Sequence, residues 1–278
     1  MNRRWKVFSR NKTAVFGGGI VLMMVVLAVG ADWIAPYDPE ARFQGEFRSP
    51  PSGRHWLGTD DNGFDVFSRV VHGARSSLLV AFCAVGFALL IGVPLGLWAG
   101  WKGGWIDGGI MRLMDVMLAF PAVLLAVAIA ALWEESSLTT VILAVGVVMV
   151  APFVRQVRAA VLQVKTEEYV TAARALGASS PRILFGTVLP NCLAPILVLA
   201  TLSTGIAILD AAGLSFLGLG PPETSPEWGV MLKRALSYLR RAEQWILLPA
   251  GIALALTVLG FNLLGDGLRD AFDPRRLE

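Results

Sequence analysis

Apolar residues run in six long blocks separated by polar stretches: 14–31, 78–100, 108–133, 138–154, about 192–219 and 245 to about 264. A helix needs roughly 20 apolar residues to cross about 30 Å of hydrocarbon. The blocks lack the strict alternation of barrel strands, so the pattern predicts an all-α membrane protein with six transmembrane helices. Pro94 and Pro121 fall inside blocks, a position that membrane helices tolerate better than soluble ones. The first block follows Arg3, Arg4, Lys6, Arg10 and Lys12, as a signal peptide would. Its 18 residues exceed the roughly 7–15 of a signal core, so a retained span is predicted.

Composition narrows the class. The chain has 278 residues, 55% hydrophobic and 16% charged, where a soluble domain carries about 25% charged residues. A disordered tail and an ordinary soluble enzyme are both excluded. The net charge of +3 matters less than its distribution. With the N-terminus placed in the cytoplasm, the inner segments hold 15 Lys and Arg with 8 Asp and Glu, and the outer segments of nearly equal length hold 9 and 12. That asymmetry obeys the positive-inside rule, and an even number of spans returns the C-terminus to the cytoplasm. Cys83 and Cys192 lie in apolar stretches and read as small packing residues. His55 and His72 have no Cys or His ligand nearby, and Asp60, Asp61 and Asp65 lack calcium-loop spacing. Those aspartates, and both histidines, are expected to be structural, with His72 close enough to the second span to meet solute.

The chain divides into 1–76, holding the N-terminal segment, first span and an irregular outer loop, and 77–278, a five-helix core. Within the core, the inner loop 155–191 is the informative part. Val157, Ala160, Val161 and Val164 continue the fourth span into the cytoplasm at helical spacing. Thr166 is predicted to cap a short helix with Glu167 and Glu168 in its first turn. Tyr169, Val170, Ala173 and Leu176 give that helix a narrow apolar face, and Gly177 ends it. Ser180 and Pro181 start another helix. The turn is made of small residues, which allow close approach by another surface. Elsewhere, Arg112 and Asp115 stand three apart and suggest an ion pair. Asp210 is the one acid inside the fifth span and a candidate for the solute path. The outer stretch WGVMLKRALSYLRR reads as an amphipathic surface helix.

The inner loop, EEYVTAARALGASSPRILFGTVLPN, resembles the loop of ATP-binding-cassette importer permeases, whose pattern is Glu-Ala-Ala, three residues, Gly, then Ile-x-Leu-Pro. Ala172, Ala173, Gly177, Leu189 and Pro190 match, whereas Thr171 and Thr187 depart. HWLGTDDNGFDVFSRVVHGARSSLL, GGWIDGGIMRLMDVMLAFP, LSFLGLGPPETSPEWGVML and FNLLGDGLRDAFDPR resemble the peptide/nickel branch of that family, second-permease type. Phe64 stands where that branch has arginine, and the stretch 210–213 lacks its glutamate.

The resemblance implies a type I importer permease fold in a bacterial inner membrane. It implies a second permease, two ATPase subunits that bind ATP and Mg, an extracytoplasmic binding protein, surrounding lipid, and no nucleic acid. Ala172, Ala173, Arg174, Leu176, Gly177 and Ala178 are then the ATPase-coupling surface. The chain has no G-x-x-x-x-G-K-[ST] phosphate loop of its own, so no enzymatic, cofactor or metal site is expected in it. Di- or oligopeptides are the implied cargo, with nickel or a metal–chelator complex as the alternative and a self-sufficient secondary transporter behind both.

Overall fold

The computed structural model describes residues 8–133, 135–236 and 244–273, and the regular elements among them are helices. They are α1 (Lys12–Val29), α2 (Ala31–Ile34), α3 (Val66–Lys102), α4 (Gly104–Leu118), α5 (Ala122–Ala130), α6 (Leu138–Val164), α7 (Glu168–Ala175), α8 (Ser180–Ile183), α9 (Leu189–Phe216), α10 (Trp228–Leu236) and α11 (Gln244–Phe272). A π-helical turn, Leu184–Val188, joins α8 to α9. The helices α1, α3, α6 and α11 and the continuous run Ser180–Phe216 are each long and apolar enough to span a bilayer, and the bent pair α4 and α5 is so only when taken together, as a sixth span.

Four local expectations need correction. The third block is not one helix: α4 and α5 meet at 90° across Ala119, Phe120 and Pro121. Proline has no N–H to continue the ladder and disfavours the helical region for the residue before it. Thr166 does not cap α7; its hydroxyl donates to the Gln163 carbonyl, closing the end of α6, and Glu167 occupies the cap position without a side-chain bond. The cap before Pro181 is Ser179, one residue earlier than predicted. Asp115 pairs with Arg155 of α6, and Arg112 is left exposed without it. The amphipathic outer helix is seen as far as Leu236, and Leu239, Arg240 and Arg241 lie outside the described residues, as do Arg3, Arg4 and Lys6.

The two ends of the chain lie together. The Asn11 side chain accepts from the Ala14 N–H at 3.2 Å, capping α1, and its Nδ2 donates to Asp270 of α11 at 3.1 Å. Both ends therefore share one side, as an even number of crossings requires. Small residues let these helices close: Gly17 rests on Leu263 and the Gly260 carbonyl, and Gly267 on Ala14. The most extensive seam is between α3 and α6. Gly92, Gly96 and Gly100 form a track at four-residue spacing under Phe153, Val157 and Val161. A β-carbon at any of the three would lie 2.7–2.8 Å from one of those side chains. Without a hydrophobic force between helices in lipid, such close approach is what holds a pair together.

α3 runs 37 residues, about 55 Å, and its first turns stand clear of the apolar block. There they meet the loop 35–65 and α10 in a polar cap. Asp65 caps α3, accepting from the Ser68 N–H at 2.8 Å, and its other oxygen faces His55 at 2.8 Å. The far nitrogen of His55 faces Glu46 at 2.9 Å. Arg69 is buried, donates to the Thr224 and Ser225 carbonyls at 3.1 and 2.9 Å, and lies 4.5 Å over the Phe64 ring. Arg42 and Arg234 flank the same ring at 5.2 and 5.9 Å. Three guanidinium groups thus lie over the Phe64 ring, whose electron-rich faces attract cations. Trp228, fully buried, donates its indole N–H to the Val70 carbonyl at 3.0 Å.

Candidate functional site

The cytoplasmic loop is built on the end of α6. Lys165 closes that helix, and its ammonium donates to the Trp101 carbonyl at 2.6 Å, satisfying the free end of α3. α7 then folds back beneath the bundle. One face is pinned: Val170, Ile183, Val188 and Cys192 are buried with Val157 and Val161 in a small core of their own. Ala173 and Ala178 are half-buried against it. Burial among side chains holds the Tyr169 hydroxyl above its ordinary range, aided by the nearby Glu167 carboxylate.

α7 ends in a complete Schellman turn. The Ala178 N–H donates to the Ala173 carbonyl at 3.1 Å and the Gly177 N–H to the Arg174 carbonyl at 3.0 Å. Gly177 has φ +81°, the left-handed value that a side chain resists, and open space surrounds the position of its missing β-carbon. A β-carbon there would meet no atom of this chain within 4 Å.

The six predicted coupling residues therefore divide. Ala172, Leu176 and Gly177 face outward, and Leu176 is 88% exposed. Ala173 and Ala178 pack inward. Arg174 is exposed but lies 5.7 Å over the Trp101 ring, beside Lys165 at 5.6 Å. Sequence reasoning missed Trp101; its position at the cytoplasmic end of an apolar block, next to Lys102, was the available signal. It also missed Phe185, an exposed aromatic residue on the same loop. The loop is thus pinned from behind and leaves apolar side chains exposed in front.

Asp210 is not brought near this loop. It lies in the outer half of α9, half-buried, with no hydrogen-bond or ion-pair partner among the described residues. Between the inner halves of α6, α9 and α11 is an open cavity of about 510 Å³, walled by Gln156, Pro195, Leu199, Leu202, Arg269 and Phe272.

Six spans, both ends on one side and a pinned helical loop between the fourth and fifth crossings define a type I importer permease. The comparisons agree. Residues 92–278 match the family described as the binding-protein-dependent transport system inner membrane component, and residues 1–51 match the N-terminal transmembrane domain of oligopeptide transport permease C. The chain belongs to this family of multi-pass inner-membrane permease subunits.

It is 47% identical to the di/tripeptide transport system permease protein DppC of Pseudomonas aeruginosa, over 98% of this chain and 91% of that protein. It is 43% identical to the glutathione transport system permease protein GsiD of Pectobacterium atrosepticum, over 98% and 90%. Among solved structures, the inward-facing MetNI methionine ABC transporter shares the fold, with TM-score 0.61 at 20% identity, covering 74% of this chain and 98% of that one.

Proposed function

We propose that this subunit carries di- or oligopeptides inward, driven by two ATPase subunits that it engages through α7 and the turn at Gly177. The observation that carries the reading is the two-sided loop: an apolar pin behind, and Leu176, Ala172 and an unobstructed Gly177 in front. A second permease completes the path, and an extracytoplasmic binding protein delivers solute. ATP and Mg belong to the ATPase subunits. The relatives reported above are named for di/tripeptides and glutathione, which favours peptide over nickel or a metal complex.

Mechanically, α6 runs unbroken from the outer loop to Val164 and ends one turn from α7. A partner that grips α7 holds the short arm of a lever. Closing and opening of the ATPase pair tilts α6, and the walls of the cavity beside Gln156 shift with it. Two arrangements of a packed interface then give alternating access. Asp210 is proposed as a contact for the peptide's amino group, because a partnerless carboxylate within a span otherwise costs stability.

The test is isolation from the native membrane. The ATPase and second permease subunits should accompany this chain, and the reconstituted complex should hydrolyse ATP in response to binding protein loaded with dipeptide. Gly177→Trp should leave the chain inserted and sever the ATPase subunits. A Gly177→Trp complex with full subunit complement and normal peptide uptake contradicts the docking role.

A further inference from the structure

The lever α6 holds more than the coupling loop. Asp107 and Asp115 both belong to α4, and both pair with arginines of α6. Arg158 meets Asp107 through two nitrogens, the second at 2.7 Å, and Arg155 meets Asp115. The Arg158–Asp107 pair is the more sheltered of the two. A planar guanidinium gripping a carboxylate through two bonds fixes orientation as well as distance.

The spacing of the partners sets the geometry. Along α4 the two aspartates are eight residues apart, about 12 Å at 1.5 Å per residue. Along α6 the two arginines are three residues apart, about 4.5 Å. The long arginine side chains bridge the difference, and the two ion pairs fasten α4 to the inner part of the lever at two points. Beyond Asp115, α4 ends at the 90° corner, where Phe120 is exposed.

The corner itself constrains what it faces. Among the described residues, no donor is found for the carbonyls of Leu118, Ala119 and Phe120, and Pro121 has no N–H. Irregular backbone at membrane depth persists only where it is buried in protein or lines a watery space. Whatever faces the corner must therefore supply hydrogen-bond donors or water.

We propose that the ion pairs Asp107–Arg158 and Asp115–Arg155 are the link that passes lever motion to the third span, so that the Phe120 corner moves with each ATPase cycle. Asp107, Asp115, Arg155 and Arg158 are then positioning residues for transport. They sit above the docking surface and touch none of the six coupling residues. The proposal rests on the coupling reading above, since the lever must be driven from α7.

The experiment uses the assembled importer, reconstituted with its ATPase subunits, its second permease and dipeptide-loaded binding protein. Charge reversal at one partner, Asp107→Arg or Arg158→Asp, should cut peptide moved per ATP hydrolysed at least tenfold while ATP hydrolysis continues. The double swap, Asp107→Arg with Arg158→Asp, should recover most of that ratio. A cysteine at position 120, with Cys83 and Cys192 replaced by serine, reports on the corner. Its labelling by a hydrophilic maleimide should change between nucleotide-free and ATP-trapped states, and the change should vanish in the single reversals.

An unaltered transport ratio in both reversals, or nucleotide-insensitive labelling at position 120 in the otherwise intact protein, overturns the link. If a reversal fails to assemble, Asp107→Asn and Asp115→Asn carry the same two readouts with the same two meanings. A wild-type complex that binds no ATPase subunit, by contrast, defeats the coupling reading itself and is seen before any variant is made.

Discussion

Two segments leave the bilayer at length, one on each side, and opposite means hold them. The outer loop 35–65 has almost no regular structure, yet His55, Asp60, Asp65 and Arg69 are buried within its contacts. The inner segment 165–188 is mostly helical, and its polar groups stay in water while a few apolar pins seat it. A buried charge network is unforgiving: each group needs every partner. An apolar pin is tolerant, and it leaves the opposite face free. The outer cap is closed around the ends of α3 and α10, and the inner loop keeps one face open.

The sharpest way to break the contrast is to strike the cap where it is densest. Trp228→Ala removes a fully buried indole and its hydrogen bond to Val70. A loss of about 3–5 kcal/mol is expected, read as a large fall in the thermal midpoint of the purified complex. No single residue of the inner loop should match it.

Glu227 gives the next effect and a pH signature. It is buried, accepts from the Gly229 and Val230 N–H groups at 2.9 and 3.0 Å, and receives a longer bond from Ser77 at 3.4 Å. Burial raises its carboxyl above the ordinary 4.5 despite those donors. The folded state therefore holds the proton more tightly than the unfolded one, so its contribution is full at low pH and declines as pH climbs from about 4.5 through the raised value. Asp60, also raised by burial, adds to the same trend. Glu227→Gln keeps an acceptor for one of the two capped N–H groups and should flatten the decline, measured as thermal midpoint against pH. Glu227→Leu strands those groups and should cost about 1–3 kcal/mol at every pH.

A milder effect is expected on the inner side. Arg174→Ala removes one cation from the Trp101 face, leaving Lys165 in place. At an exposed site that is about 0.5–1 kcal/mol, visible as faster proteolysis of the loop with the global midpoint nearly unmoved.

How much of this was legible in the chain follows from the same physics. Block lengths set the number of crossings because hydrocarbon thickness admits few alternatives. The stop at Gly177 was readable because a left-handed cap selects glycine. The extension of α6 was readable because Val157, Ala160, Val161 and Val164 keep a helical period. The break at Pro121 was not, because proline inside a span is compatible with a gentle kink or a corner, and the choice depends on what α4 meets. What it meets is Arg155 and Arg158, far along the chain, so Asp115 was given the nearer partner Arg112. The cap was unreadable for a like reason. Arg69 finds its acceptors at Thr224 and Ser225, and no local pattern announces a bond between residues so distant in sequence. The residues proposed for coupling were read as one group, and their split into outward and inward members awaited the seat formed by Val170 and Ile183.

The smallest expected effect on stability is also the most discriminating. Leu176 closes α7 with its side chain in solvent, touching neither the buried pins nor the Trp101 stack. A surface position of that kind tolerates substitution within about 0.5 kcal/mol, so Leu176→Glu should leave the thermal midpoint of this chain unchanged. If the residue's exposure is there for a partner, burying a carboxylate in place of a leucine costs far more at that interface than it does in water. ATPase subunits should then fail to co-purify, although the chain inserts and folds as before. A Leu176→Glu variant that retains its ATPase subunits and transports normally would place Leu176 outside the contact, and the inner loop would have to be engaged through Ala172 and the Gly177 turn instead.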